Sequence, residues 1–114
     1  MKSIVLNIGG QDRTFHFGLG FLGNLLEETN TNMVDFDEKR LSNPFKWIPL
    51  MMYHSCAWGF IRENKEVDFT LQDMINWIDD TDVEILQRFN EAFVNSLVKN
   101  VPAEDTSKKK VTKK

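Results

Sequence analysis

The chain has 114 residues, of which 41% are hydrophobic and 27% charged, so it has the length of one domain and the apolar content to build its own core. That composition excludes the low-hydrophobicity regime of disordered chains. Net charge is −3 but unevenly spread: residues 101–114 hold five lysines against Glu104 and Asp105, which leaves residues 1–100 at −6. An acidic body argues against a nucleic-acid surface, because phosphate binding needs a basic face and not one basic tail.

The lone cysteine, Cys56, excludes an intramolecular disulfide, and no apolar run approaches the ~18 residues of a membrane span. Asn7, Gln11, Asp12 and Arg13 interrupt any signal-peptide core after Lys2. The expectation is a protein that stays in the reducing cytosol where it is made. Nine Phe and three Trp are many for this length. Aromatic residues belong first to the core, and some are candidates for a contact surface.

In chain order, Ile4, Leu6 and Ile8 alternate on one face of a first strand, and Phe15 and Phe17 do the same on a second. Gly9-Gly10 between them supplies the positive φ of a tight hairpin turn. Leu19, Leu22 and Leu26, with Phe21 and Leu25, form an apolar stripe at helical spacing, which predicts a helix over 19–29 ended by Asn30-Thr-Asn. Gly18, Gly20 and Gly23 each weaken that helix by up to ~1 kcal/mol relative to Ala. Either another element presses closely on them, or Gly18 and Gly20 form the turn into the helix.

Residues 30–42 are polar and acidic, with Met33, Val34 and Phe36 scattered among them, and are expected to form a loop or a short helical turn. Ser42-Asn43-Pro44 then reads as a capped helix start with proline in the first turn. Phe45 to Lys65 is apolar around most of its circumference and forms the expected central helix, with Pro49 either kinking it or marking its true start. Thr70-Leu-Gln-Asp73 caps a short helix to about Ile78, and Thr81-x-x-Glu84 reads as a capping box opening the last helix. Leu86, Phe89, Phe93 and Leu97 form that helix's stripe. The predicted core includes Leu50, Ala57, Ile61, Leu86, Phe89 and Phe93. The expected fold is α+β and mostly α: residues 1–100 form one domain in which a two-stranded hairpin packs on about four helices. Residues 101–114 are expected to be a disordered Lys-rich tail.

No constellation of catalytic or metal-binding residues stands out. His54 and Cys56, at i, i+2 on a helix, point roughly 200° apart and cannot chelate one ion. His16 is distant in sequence, and a mid-helix cysteine among Met52, Ala57 and Trp58 is expected to be buried and inert. Asp79, Asp80, Asp82 and Glu84 lack the ligand pattern of a calcium loop and are explained as helix caps. Gly18-Leu-Gly20-Phe-Leu-Gly23 spells G-x-G-x-x-G, but the chain offers no βαβ unit to hold a dinucleotide. The expectation is a non-enzymatic protein with no cofactor and no metal.

The order of elements carries a resemblance. A Gly-Gly hairpin precedes Phe17-Gly-Leu-Gly-Phe-Leu-Gly23, which leads into a leucine helix; a hydrophobic helix through Leu50-Met-Met-Tyr-His54 follows. Thr70-Leu-Gln-Asp-Met-Ile-Asn-Trp-Ile-Asp-Asp80 and a terminal amphipathic helix complete it. This order resembles the tail assembly chaperones of long-tailed, siphovirus-type bacteriophages over about residues 3–97.

The resemblance implies a non-enzymatic protein of the infected bacterial cytoplasm that binds the aggregation-prone tape-measure protein. It would help recruit tail-tube subunits and leave before the virion is finished. Phe21, Phe36, Phe45 and Trp47, at the edges of the apolar stripes, are the candidate partner-binding residues, and self-association is a further candidate contact. In that family a translational frameshift often appends a second domain. Lys108-Lys109-Lys110, whose codons can form a slippery run, lie where it would occur and otherwise read as a solubilising tail. Rival readings are a structural tail completion protein of the virion and a small phage-encoded regulator that binds a host protein.

Overall fold

Both predicted strands are present in a computed structural model of the chain, which describes residues 3–100. Strand β1 (Ser3–Ile8) pairs antiparallel with β2 (Gln11–His16), in a register that sets Ile8 opposite Gln11 and Ser3 opposite His16. Gly9 and Gly10 turn the chain with φ of 66° and 84°, the two positive values that a type I′ hairpin requires. Leu6, Ile8 and Phe15 face inward, and Phe17, just beyond the strand, joins them.

Five helices follow: α1 (Leu19–Glu28), α2 (Met33–Ser42), α3 (Pro44–Ile61), α4 (Leu71–Asp79) and α5 (Val83–Asn100). The fold is therefore α+β and mostly α, with one helix more than expected. Residues 101–114, including Lys108, Lys109 and Lys110, lie outside the described residues.

The additional helix is α2, over the stretch expected to be a loop or a short helical turn. Two local features form it. The Asn32 side chain accepts from the Asp35 amide at 2.8 Å, which caps the N-terminus, and Phe36 buries completely as the anchor of an otherwise polar helix. With a single buried residue, the helix shows almost no apolar periodicity, so the pattern that marks helices was missing. Ser42 consequently ends α2 instead of capping α3. Asn43 occupies the N-cap position of α3 without a side-chain cap bond, and Pro44 stands in the first turn.

Helix ends elsewhere follow local rules. Asn30 closes α1 and Asn64 follows α3, both left-handed with φ of 51° and 60°. Each sits in a Schellman arrangement: Thr31 N–H bonds Leu26 C=O, and Lys65 N–H bonds Phe60 C=O. Thr70 and Asp73 form the predicted capping box at α4. The second expected box does not form. Thr81 instead donates its hydroxyl to Trp77 C=O at 2.7 Å, closing α4, and Asp82 is the residue that precedes α5.

Helix α3 runs unbroken through Pro49 and is the hub of the domain, touching β2, α1, α2, α4 and α5. A helix that is apolar all round must be covered on several sides, and this one is. Gly20 lets α1 come close: a Cβ there would lie 2.0 Å from the Trp58 ring. Gly18, with φ of 155°, makes the turn into α1, so the two explanations of the glycines apply at different positions.

The core is a chain of edge-to-face aromatic rings. Phe89 meets Phe15 at 5.7 Å and Phe17 at 5.4 Å; Phe93 meets Phe17, Phe21 and Phe36; and Phe36 meets Trp47 at 5.7 Å. These contacts tie the hairpin, α1, α2 and α3 to α5. Phe89, Phe93 and Ala57 are buried as predicted. Leu50 and Leu86 pack only partly against the core, and Ile61, the last residue of α3, is exposed.

Candidate functional site

Of the four candidate partner-binding residues, the structure leaves one available. Phe21 and Phe36 are completely buried and Trp47 nearly so, each holding another ring edge-on, so they belong to the core and are corrected from the contact surface. Phe45 is 92% exposed. It is the only one of the nine phenylalanines that stands outside the packed interior.

Phe45 forms part of an open groove of about 870 Å³. Leu41 at the end of α2, with Phe45 and Ile48 on the first turns of α3, makes one wall. Ile78 at the end of α4, with Val83 and Leu86 on the first turns of α5, makes the other, and the buried Met51 lies at the floor. Leu41, Phe45 and Val83 are 70%, 92% and 67% exposed, a concentration of bare apolar surface that single scattered residues do not produce. From Val83 to Glu91 the α5 wall spans about 12 Å, the rise of two helical turns.

Polar side chains rim the groove unequally. Arg40 is occupied, with Nε 3.0 Å from Asp37 Oδ1 and the guanidinium over the Phe93 ring at 5.5 Å. Asp79 and Glu91 on the opposite wall have no ion-pair partner among the described residues.

The reactive side chains lie elsewhere, in a smaller polar cleft of about 250 Å³ bordered by Arg13, His16, Cys56 and Gly59. Arg13 donates from Nε to Ile8 C=O at 3.2 Å and stacks on Trp77 with 4.1 Å to the ring centroid. The Trp77 ring in turn lies against Gly9, where a Cβ would approach within 2.6 Å. This stack locks the hairpin turn to α4. Burial pushes the Cys56 thiol up to about 11, against a smaller opposing pull from Arg13, so it stays protonated and poorly nucleophilic at neutral pH. Burial also lowers both histidines: His16 with help from Arg62, and His54 against a weaker contrary pull from Glu28.

Among the described residues, no group of three His, Cys, Asp or Glu side chains is placed to hold a metal ion. In the G-x-G-x-x-G segment, Gly20 lies against the Trp58 ring and Gly23 faces open space. No helix among the described residues is long and apolar enough to cross a membrane.

The signal for the groove was present in the sequence but dispersed. Its walls draw on four helices, and one of them, α2, has little apolar periodicity. Compared with models of known protein families, with curated proteins and with solved structures, the chain matches none.

Proposed function

We propose that this chain is a non-enzymatic assembly chaperone of a long-tailed bacteriophage, and that its groove holds apolar helical segments of the tape-measure protein during tail morphogenesis. The carrying observation is Phe45. A phenylalanine left 92% exposed beside Leu41 and Val83, on a domain that packs its other phenylalanines edge-on against neighbouring rings, gives a partner an aromatic anchor at no cost to the core. The groove's length matches two turns of a bound helix, the geometry of helix-in-groove recognition. The acidic body keeps such a surface in solution until a client arrives.

On this reading the protein works in the host cytoplasm, hands its client to tail-tube subunits and is left out of the finished virion. A frameshift-extended form, reading on from the codons of Lys108, Lys109 and Lys110, carries the tail-tube contact. The order of elements supports the assignment to tail assembly, and the groove supports binding of a helical client.

Co-expression tests it. The tape-measure protein is expected in the soluble fraction with the intact chain, and in the pellet with a Phe45→Ser variant whose melting temperature is unchanged. A tape-measure protein that is equally soluble without this chain refutes the proposal.

A further inference from the structure

The two walls of the groove differ in charge. The segment from Asp79 to Glu91 carries five carboxylates and one cation, Arg88; Asp79 and Glu91 reach the groove, whereas Asp80 and Asp82 border a separate cleft beside Gly9 and Gly10. The opposite wall, from Asp35 to Lys46, carries three of each sign. Asp79 and Glu91 line the groove itself and are unpaired among the described residues, whereas Arg40 facing them is neutralised by Asp37. An occupant therefore meets an apolar floor with negative potential along one side only.

We infer that the groove takes a basic amphipathic helix: about two turns presenting three apolar anchors at i, i+3 or i+4, and i+7, with lysine or arginine on the flank that lies along α4 and α5. The charge pattern decides between occupants. A second copy meeting this patch about a two-fold axis would present the same acidic wall, and its body carries the same negative charge, so it brings no surplus of cations to Asp79 and Glu91. A helix with an acidic flank suffers the same repulsion. A basic flank turns both rim carboxylates into partners and raises the rate of encounter with the acidic body. The inference rests on the proposed function for the identity of the client, and adds to it which segments of that client are held.

The test uses the full chain and two helix-stabilised peptides of about 15 residues with the same leucine stripe, one flanked by lysine and one by glutamate. Fluorescence anisotropy at low salt is expected to show the lysine peptide binding at least about tenfold tighter, with the difference shrinking as salt screens the rim. Phe45→Ser is expected to weaken the lysine peptide by about tenfold or more at unchanged melting temperature. A double Asp79→Asn, Glu91→Gln variant is expected to remove most of the preference between peptides.

Equal binding of the two peptides overturns the inference, as does a Phe45→Ser variant that binds the lysine peptide normally. A dimer by sedimentation that Phe45→Ser dissociates overturns it as well, by assigning the groove to a second copy. The two proposals fail separately. Loss of charge preference with retained Phe45-dependent solubility of the tape-measure protein removes only this inference. Charge-selective binding with no effect on tape-measure solubility removes only the chaperone reading.

Discussion

Truncating one phenylalanine to alanine at two positions separates the part of this molecule that holds the fold from the part offered to a partner. Phe89 is fully buried and meets Phe15 and Phe17 edge-on at 5.7 and 5.4 Å, so removing its ring forfeits the transfer energy and leaves a cavity between α5 and the hairpin. For a buried Phe→Ala change this amounts to roughly 3–5 kcal/mol. Domains of this size have only about 5–15 kcal/mol in total, so the variant loses a large share of its stability. At roughly 4–8 °C per kcal/mol, Tm falls by at least about 12 °C. Phe45→Ala, at 92% exposure, removes almost no buried area, and its effect stays within about 0.5 kcal/mol. Thermal and urea unfolding followed by circular dichroism measure both. A loss below about 1 kcal/mol at Phe89 refutes the core described here. A loss above about 1.5 kcal/mol at Phe45 shows that its ring is packed and that the groove is not open.

Two further outcomes are expected. Gly20→Ala drives a Cβ to within 2.0 Å of the Trp58 ring and is expected to cost about 1–3 kcal/mol, whereas Gly23→Ala, which meets nothing within 4 Å, gains up to about 1 kcal/mol of helix propensity; equal effects at the two sites in urea titrations contradict the close approach of α1 to α3. His54, held below its ordinary 6.5 by burial, binds fewer protons folded than unfolded, so its contribution is complete above pH 6.5 and is lost as pH falls through the lowered value. Stability measured from pH 7 to 5 should decline, and His54→Gln should flatten that decline.

How legible each element was depended on how much of its formation is local. The hairpin could be read because Gly9-Gly10 fixes the turn and the alternation of Leu6, Ile8 and Phe15 fixes the inward face. The capping box at Thr70 and the close of α1 at Asn30 were equally visible, since each needs only neighbours in sequence. Helix α2 was not visible, because a single residue, Phe36, anchors it and the pocket that receives Phe36 comes from Trp47 and Phe93, distant in sequence. The same cause explains the contact residues. Phe36 and Trp47 looked like stripe-edge residues while no helix was expected to cover them, and once α2 forms they cover each other. Thr81-x-x-Glu84 failed because α5 begins at Val83, which puts Asp82 and not Thr81 in front of it, while the Thr81 hydroxyl closes the helix behind.

The openness of the groove follows from the cover that α3 receives. A helix apolar around most of its circumference needs neighbours on nearly every side, and β2, α1, α2, α4 and α5 supply them. They do not supply them evenly along its length. The C-terminal half lies against β2 at Gly59, where a Cβ would strike His16 at 2.6 Å, and against α1 at Trp58. At the N-terminal end, α2 finishes at Ser42 and turns directly into Pro44, while α4 closes at Asp79 and α5 begins at Val83. The chain therefore turns on both sides of Phe45 and Ile48 without laying a helix over them. Moving Phe45 inward would require α5 to begin a turn earlier, over the Asp79-Asp80-Thr81-Asp82 connection, whose carboxylates favour solvent. Asp79, where that connection leaves α4, is also one of the two carboxylates on the groove rim, with Glu91 of α5 the other, so access to the groove and selectivity for a basic helix share one residue.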